Sequence, residues 1–508
     1  MTELMHFLAD CPVVTRHRPW PRVEMTAEAW NGLVDQLAVE RWELAALWAE
    51  QDAIHAALRD SELGVYFVVS RACPDGRYPT LSRVRPGAAR MERAARDLFG
   101  LTAEGAEDER PWLDHGRWPM RRPLAASPVP RAMDEPAAQA TDYRFLAAEG
   151  EGIHQIPVGP VHAGIIEPGH FRFHANGETV VRLEERLGYV HRGVERHMQG
   201  KTVGEAARLA ARVSGDSAVA HSLAFARAVE AALDRPCPPR AAHIRALMAE
   251  LERIANHLGD FGAICNDASF VFLQAEATTL REDVLRVAGS IFGHRLMMDR
   301  IVPGGVAVDI AAIGIEAIRA LVAAVGPRFE RLFAVYDSKP SLLDRTIATG
   351  AIGSHLVHRF AAGGFVGRAA GRAVDARVSP GYPPYDALDF SVPDQSQGDV
   401  HARVMIRVEE IRQSVKLIVQ LLDTLPDGAI AVPLPEAAGE GMAVVEGFRG
   451  DILTWVRVGA DGRILRCFPR DPSWLQWPLL EAAIEGNIVA DFPLCNKSFN
   501  CSYAGQDL

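Results

Sequence analysis

Two short stretches of this 508-residue chain carry the residue types that bear most directly on chemistry: RVSGDS at 212–217 and SFNCSYAGQDL at 498–508. A CxxC pair in either place would supply thiolates to a soft metal ion. The first stretch instead has two serines, and the second has a single cysteine. The seven cysteines of the chain form no CxxC pair; they are Cys11, Cys73, Cys237, Cys265, Cys467, Cys495 and Cys501. This spacing predicts scattered, reduced thiols.

A second set of candidate residues falls on one predicted helix, PPRAAHIRALMAELERIANHLGDFGA, at 238–263. Prolines precede it, where a missing N–H costs nothing. Its apolar residues recur at helical spacing and define one buried face. Glu250, Arg253 and His257 fall together on the other side. From the sequence alone the simpler interpretation is a solvated face, and the alternative is a functional cluster.

Several classes of function are disfavoured by composition and by missing motifs. The net charge of −11 argues against a non-specific nucleic-acid binder. No run approaches eighteen uninterrupted apolar residues, so no membrane span is predicted, and the first residues do not resemble a secretory signal. There is no phosphate-binding GxxxxGK[ST], and GGFVGRAAG at 363–371 has the wrong spacing for a dinucleotide site. The sequence therefore predicts no dinucleotide site in this chain.

The elements that would position these residues suggest an α+β fold. Residues 27–59 are predicted to form an amphipathic helix, 64–72 a strand, and 87–101 a helix that ends near Gly100. Together they predict a small α+β domain over residues 1–118. The stretch 119–150 is rich in Pro and Ala without a period, which predicts an exposed, semi-rigid linker between two independently folded units.

Residues 151–508 are predicted to form a larger, mainly helical domain with small β elements. Further helices are expected at 203–233, 274–292, 315–336 and 400–424. The segment 447–471 reads as two alternating strands joined by the turn GADG, which predicts a hairpin.

Ordered motifs give the chain a resemblance to a known family. These are GPVHAGIIEPGHFRF (159–173), YVHRGVERHMQGK (189–201), ELERIANHLGDFGAICND (250–267), GGFVGRAAGR (363–372) and YPPYD (382–386). They resemble the D subunit of complex I and the large subunits of group 4 nickel–iron hydrogenases. ERAARDLFGL (92–101) resembles the signature of the complex I C subunit. The chain departs from these patterns at Ala94, Ala106, Arg196 and Gln199. The resemblance implies a fused C–D protein, with a C-like domain at 1–118 and a D-like domain at 151–508.

The resemblance also implies where hydrogenase metal ligands would lie. The four cysteine positions fall on Ser214, Ser217, Ser502 and Gly505. A serine hydroxyl keeps its proton at neutral pH, whereas a thiol loses its proton readily beside a metal, and glycine offers no side-chain ligand. We therefore expect no metal and no cofactor in this chain.

Quinone binding is left open by the same comparison, although the usual headgroup residues are missing. The headgroup tyrosine position falls on Gly215, and the headgroup histidine lies near Glu167–Pro168, where no histidine occurs. A 4Fe–4S cluster is expected in a partner subunit.

The resemblance assigns candidate roles to the remaining polar residues. Glu167, His257 and Asp267 are candidate proton-relay groups, because a carboxyl or imidazole with a shifted pKa can pass protons. A second set would face the partner's cluster: His191, Arg192, Arg212 and Arg253. The alternative for each residue is a structural role.

The leading hypothesis is a core subunit of a membrane-associated, complex-I-like electron-transfer complex without its own nickel–iron site. Two kinds of partner are expected. One is a small iron–sulfur protein that resembles the B subunit of complex I, and the other is a set of complex-I-like membrane subunits. Nucleic acid is not expected as a partner. Its expected place is peripheral, on the cytoplasmic side of a bacterial plasma membrane. One alternative is a non-redox coupler between an iron–sulfur arm and an ion-translocating membrane arm. The weakest alternative is an active nickel–iron hydrogenase.

Overall fold

The computed structural model describes residues 2–39, 42–132 and 143–508. The elements of the N-terminal part are α1 (Glu3–Leu8), β1 (His17–Arg18), β2 (Arg22–Glu24), α2 (Ala27–Ala38), β3 (Glu43–Glu50), β4 (Ala53–Arg59), β5 (Tyr66–Ala72), β6 (Arg77–Pro79), α3 (Ala89–Phe99) and β7 (Thr102–Glu104). Two short strands follow, β8 (Met120–Arg121) and β9 (Val129–Pro130).

The larger part begins with an antiparallel sheet and continues mainly as helices. Its elements are β10 (Ile153–Val158), β11 (His170–Asn176), β12 (Thr179–Arg186), α4 (Val194–Met198), α5 (Val203–Ala210), α6 (Ala218–Ala232), α7 (Pro239–Asp267), α8 (Val271–Phe292), β13 (Ile301–Val302), β14 (Gly305–Val306), α9 (Ala312–Asp337), α10 (Pro340–Thr346), α11 (Ser354–Arg359), α12 (Gly364–Ala369), α13 (Val400–Asp423), β15 (Gly439–Gly447), β16 (Gly450–Val458), β17 (Ile464–Arg470), α14 (Ser473–Ala483), α15 (Phe492–Phe499) and α16 (Tyr503–Asp507). The predicted α+β class is confirmed. Within the described residues, no helix has the length and apolar character needed to cross a bilayer.

The N-terminal sheet has the strand order β2-β5-β4-β3, with β2 parallel to β5 and the other pairs antiparallel. The predicted strand at 64–72 and the helix that ends at Gly100 are confirmed. The predicted helix over 27–59 is correct only as far as Ala38. Its second half forms β3 and β4, whose side chains are buried on both faces of the sheet, so the spacing of their apolar residues carried no strand period.

The long helix α7 lies at the centre of the larger part. It packs against α8 and α13, and its apolar residues, such as Leu247 and Leu258, are fully buried. The predicted hairpin at 447–471 is present as β16 and β17, within a four-stranded sheet of order β1-β15-β16-β17. The predicted helix over 203–233 is interrupted. α5 and α6 are separated by RVSGDS, whose last residues form a short 3₁₀ turn at Gly215–Ser217.

The two parts of the chain share one interior. β1 pairs in parallel with β15, so that an N-terminal strand completes the sheet of the larger part. The Trp48 ring stacks on Phe468, with ring centroids 5.4 Å apart. Ion pairs cross the same boundary, with N···O distances of 2.8 Å for Arg22–Glu440 and 2.7 Å for Arg372–Glu43. The expectation that the two units are independent of each other is therefore wrong, while the boundaries at 118 and 150 stay predictions.

The segment 119–150 is only partly the exposed linker that its composition predicts. Leu124 is buried and its N–H donates to the Leu98 carbonyl at 3.0 Å. Tyr143 is also buried, whereas Val129 and Leu146 are about half exposed, at 48% and 50%. Residues 133–142 lie outside the described residues.

Trypsin under native conditions is expected to cut first within 119–150, since exposed connections are preferred sites of proteolysis. The two fragments should still elute together on size exclusion, because the β1–β15 pairing and the interdomain ion pairs do not depend on the connection. They should separate only in denaturant. A first cut within 240–300, or fragments that elute apart under native conditions, would contradict this arrangement.

Candidate functional site

The structure brings the two opening stretches together. The loop at 212–217 lies between α5 and α6, and the end of the chain folds back onto it. The Ser214 and Ser502 hydroxyl oxygens are 2.8 Å apart, and both residues are buried. The Ser214 hydroxyl also donates to Oδ1 of Asp216 at 2.9 Å. Two positions far apart in sequence thus form one direct hydrogen bond.

The backbone of the C-terminal segment is fixed by the same hydroxyl groups. Ser502 caps α16, where its Oγ accepts the Gly505 N–H at 2.9 Å. The Ser502 N–H in turn donates to Oγ of Ser473 at 2.8 Å. Asn500 has a φ of 45°, a left-handed conformation that asparagine tolerates, and it turns the chain between α15 and α16. The Ser502 side chain is therefore committed to holding this turn.

A buried arginine completes the other side of the site. Arg449 donates to both carboxylate oxygens of Asp216, at 2.7 and 2.5 Å, and to Oγ of Ser217 at 3.1 Å. Burial alone would raise the pKa of Asp216, but the Arg449 guanidinium outweighs it and lowers that pKa. A bidentate ion pair thus stands directly beside Ser217.

Asp471 occupies the space beside Gly505. A Cβ atom added at Gly505 would lie 2.6 Å from Cγ of Asp471, well inside van der Waals contact. The Asp471 carboxylate is held by Nε2 of His221 at 3.0 Å and by the Ser473 N–H at 2.8 Å. Although burial raises the pKa of Asp471, these hydrogen bonds and the His221 charge lower it to about 2. A carboxylate thus fills the place that a side chain at 505 would need.

The residues at the four predicted ligand positions do not fit a nickel–iron centre. The three hydroxyls at Ser214, Ser217 and Ser502 are engaged in hydrogen bonds within the chain. The fourth position, Gly505, has no side chain and no room for one. Soft, anionic donors are absent from all four positions.

Arg192 ties the two stretches to each other. Its guanidinium donates to the carbonyls of Arg212 at 2.6 Å, Val213 at 2.7 Å and Ala504 at 3.1 Å. Its own N–H donates to the Leu508 carbonyl at 2.7 Å. Although Arg192 is exposed at its edge, these contacts make it a cross-link between the loop at 212–217 and the end of the chain. An additional role towards a partner stays a prediction.

The other predicted surface residues lie around the same edge. Arg212 is 46% exposed and makes a bidentate pair with Asp299, at 2.6 and 2.8 Å. Glu167 is exposed, and its carboxylate accepts the Ala504 N–H at 3.3 Å. His191 is half-buried, with Nδ1 2.7 Å from the Asp507 carbonyl. These side chains lie around the edge of the site, and their roles towards a partner stay predictions.

The polar face of α7 is buried, so the interpretation as a solvated face is wrong. Glu250 and His257 are 0% exposed and Arg253 is 1% exposed. Arg253 donates to Glu410 at 3.1 Å and to the Glu446 carbonyl at 2.8 Å. Arg253 therefore does not lie at a surface of this chain, which corrects its expected place at a partner interface.

His257 belongs to a buried ionic cluster. Its Nε2 is 2.8 Å from Oε2 of Glu410, which also pairs with Arg368. Burial lowers the pKa of His257, although the Glu410 charge opposes the shift. Asp267, at the end of α7, lies apart from this cluster and is half-buried, and burial raises its pKa. The three candidate relay groups, Glu167, His257 and Asp267, make no direct contact with one another in the described contacts.

Sequence reasoning did not identify Asp216, Arg449, Asp471 or Glu410. Asp216 lies inside RVSGDS, and its place between two serines was the available signal. The other three stand beside further charged residues, since Glu410 follows Glu409, Asp471 follows Arg470, and Asp451 comes two residues after Arg449. No local pattern therefore distinguished them from surface charges.

Replacing Gly505 with alanine is expected to destabilise the protein by about 1–3 kcal/mol, the usual cost of overpacking a buried site. The added methyl group would meet the fixed Asp471 carboxylate. Gly215→Ala is the matched control, because nothing lies within 4 Å of its added Cβ. Chemical denaturation measures both; equal stability of the two variants would show that the space beside Asp471 is not closed.

Family models match most of the chain in sequence order. A model described as respiratory-chain NADH dehydrogenase, 30 Kd subunit, matches residues 27–128. A nickel-dependent hydrogenase model matches residues 192–265. A model described as respiratory-chain NADH dehydrogenase, 49 Kd subunit, matches residues 269–438.

Individual relatives agree with these models. Formate hydrogenlyase subunit 5 of Escherichia coli (strain K12) is 30% identical over 438 residues, which cover 85% of this chain and 77% of the relative. Hydrogenase-4 component G of the same organism is 29% identical over 469 residues, 90% of this chain and 80% of the relative. The C/D subunit of NADH-quinone oxidoreductase from Phocaeicola vulgatus is 28% identical over 404 residues, 75% of this chain and 78% of the relative. The chain therefore belongs to the family of oxidoreductase subunits that includes the formate hydrogenlyase and hydrogenase-4 large subunits and the fused C/D subunits of NADH-quinone oxidoreductase.

Proposed function

We propose that this chain is a core subunit of a membrane-associated, complex-I-like electron-transfer complex and holds no nickel–iron site of its own. One observation carries the proposal: the four ligand positions converge, yet hydroxyls and the Asp471 carboxylate occupy the space. The fold that would surround a metal is kept while its donors are replaced. Electrons would then pass through a partner's cluster beside this site.

The rim of the site supports a partner-binding role. Glu167, Arg212 and Gly215 are exposed around the buried serines. A small iron–sulfur subunit that docks on this edge would place a 4Fe–4S cluster next to a polar wall. Arg212, although paired with Asp299, keeps an exposed guanidinium edge suited to carboxylates or carbonyls of a partner.

The names of the relatives support the proposed assembly. A formate hydrogenlyase subunit, a hydrogenase-4 component and the C/D subunits of NADH-quinone oxidoreductase all match this chain. We place this chain in the same kind of complex, peripheral on the cytoplasmic side of the plasma membrane, with membrane subunits as further partners. Quinone remains a candidate acceptor, although Gly215 and Glu167 stand where headgroup residues are usual.

A second candidate function is a non-redox coupler between an iron–sulfur arm and an ion-translocating membrane arm. The buried ionic cluster around Glu410 favours it, because coupled charges inside a protein can transmit a change of protonation. An active nickel–iron hydrogenase is the weakest candidate, since the donors for the metal are missing.

The native complex that contains this chain is expected to hold far less than one nickel per chain and neither to take up nor to evolve hydrogen. It should also contain an iron–sulfur subunit. Elemental analysis gives the nickel ratio, and a hydrogen electrode gives the activity. About one nickel per chain, the ratio of a real site, would overturn the proposal, as would purification without any iron–sulfur protein.

His257→Ala is expected to reduce the pH dependence of the partner cluster's reduction potential while the complex stays assembled. Burial lowers the pKa of His257, which favours its neutral form, and an added electron nearby would favour its protonation. One proton taken up per electron gives a slope of about 59 mV per pH unit, which the variant should lose in part or in full. Redox titrations of the co-purified complex at several pH values measure this slope.

The matched control is His55→Ala, which removes a buried His–Glu pair of the same kind from the N-terminal sheet. His55 is 1% exposed, and its Nε2 lies 3.1 Å from Oε2 of Glu50. This variant should leave the slope unchanged. If His257→Ala also leaves it unchanged, His257 is a packing residue of the Glu410 cluster and not a relay.

A further inference from the structure

A cavity of about 560 Å³ lies between the N-terminal part and the larger part of the chain, and none of the four positions predicted for metal ligands lines it. Helix α3 and strand β3 form one wall, and β17, α4 and the end of the chain form the other. Its volume lies in the range of small-molecule sites, which prefer boundaries between domains. Residues of the motifs at 92–101 and 189–201 line it, but the resemblance assigns it no role.

Small residues on α3 create the space. Ala94 and Ala95 face the cavity between the larger side chains of Met91 and Leu98. The cavity opens to solvent at the edge where Met120 is 38% exposed. A molecule can therefore enter it without rearrangement of the fold, and preformed apolar clefts of this kind are typical of ligand sites.

The walls are mainly aromatic and aliphatic. Phe99 and Phe468 lie on opposite walls. Trp118 also lines the cavity, and Met120 lies at the exposed edge of the cavity. Flat rings pack favourably against such side chains. The lining therefore suits a molecule with a ring-bearing, apolar body.

The charged residues at the other end are paired or hydrogen-bonded within the chain. Arg466 pairs with Glu195 at 2.5 Å and donates to the Ala49 carbonyl at 3.2 Å. Asp507 is fully buried and accepts the N–H groups of Gly188 and Val190 at 2.8 and 3.0 Å. Arg196, which also lines the cavity, is exposed and donates to Gln199 at 2.9 Å. None of these charges is both buried and without a hydrogen-bond partner, which disfavours an ionic ligand.

His191 offers a hydrogen-bond acceptor at that end, beside the exposed ring of His197, which also lines the cavity. Nδ1 of His191 lies 2.7 Å from the Asp507 carbonyl, and only an N–H can bond a carbonyl, so Nδ1 carries the proton. In the neutral ring Nε2 then has a lone pair, and it has no hydrogen-bond partner in the described parts of the chain. The ring itself is held by stacking on Trp118, with centroids 5.0 Å apart.

We propose that this cavity binds an uncharged, ring-bearing apolar molecule that carries a hydroxyl group. The hydroxyl donates to Nε2 of His191, and the rings lie between the aromatic walls. This inference does not rest on the proposed electron-transfer function, although His191 also lies at the rim of that site.

Calorimetric titration of the full chain with 2-naphthol and 2-methoxynaphthalene tests the proposal. The two probes have similar ring systems, but only the first can donate a hydrogen bond. We expect both to bind, 2-naphthol more tightly by about 3- to 10-fold, the usual range for one hydrogen bond. Failure of both to bind, or equal affinity, would overturn the proposal.

Two variants separate the walls from the acceptor. His191→Phe keeps a ring on Trp118 but removes the acceptor, so the advantage of 2-naphthol should vanish while 2-methoxynaphthalene still binds. Ala94→Phe fills the space and should abolish binding of both probes. Ala320→Phe, at an exposed alanine of α9, is the matched control and should bind both probes like the original chain.

If Ala94→Phe does not fold cooperatively, the His191→Phe comparison decides alone. Unchanged binding to a folded Ala94→Phe variant, or a retained preference for 2-naphthol in His191→Phe, would contradict the proposal.

Discussion

A single buried carboxylate, Glu410, organises the interior of the larger part. It accepts hydrogen bonds from Arg253 and His257 on α7 and pairs with Arg368 on α12, while it is itself on α13. An isolated charge in such a place costs far more than folding can supply, so all three helices must bring their charges to the same point. The strong pairing holds the pKa of Glu410 well below its usual range, although burial opposes this. Loss of one partner from a buried pair typically costs about 3–5 kcal/mol, which fixes the register of these helices.

Hydrogen bonds and ion pairs also hold together the two loops of the site at the end of the chain. At a metal site, two such loops would be held together by their bonds to the metal. In this chain, side-chain and backbone hydrogen bonds join them. Arg192 reaches carbonyls on both sides, and Ser214 meets Ser502 directly. Arg449 and His221 balance the two carboxylates of Asp216 and Asp471. The geometry of the loops therefore depends on hydrogen bonds in every place where thiolates would act.

Local patterns of residue type predicted many of the helices and strands. The remaining features depend on contacts between residues far apart in the sequence. The helical spacing of apolar residues located α7. The Val, Tyr and Phe content of β5 and the GADG turn of the β16–β17 hairpin identified those strands, although β5 and β16 are largely buried on both faces. Apolar spacing failed at β3, which is also buried on both faces but is rich in Ala and Leu. The burial of Arg253 depended on Glu410, 157 residues away, which no local signal reports. The meeting of Ser214 with Ser502 spans 288 residues and was expected only through the resemblance. Asp471 beside Gly505 could be recognised only in three dimensions.

The contact between Arg466 and Ala49 joins a strand made early in translation to a strand made near its end. Its partners are 417 residues apart, and one face of the N-terminal sheet, including Trp48 and Tyr66, packs in the core of the larger part. At about 5–20 residues per second, a ribosome needs on the order of 20–80 s to make the covering strand after the sheet has emerged. During that interval the nascent sheet presents an apolar face to the cell. The sheet can complete its packing only after the last third of the chain has been made.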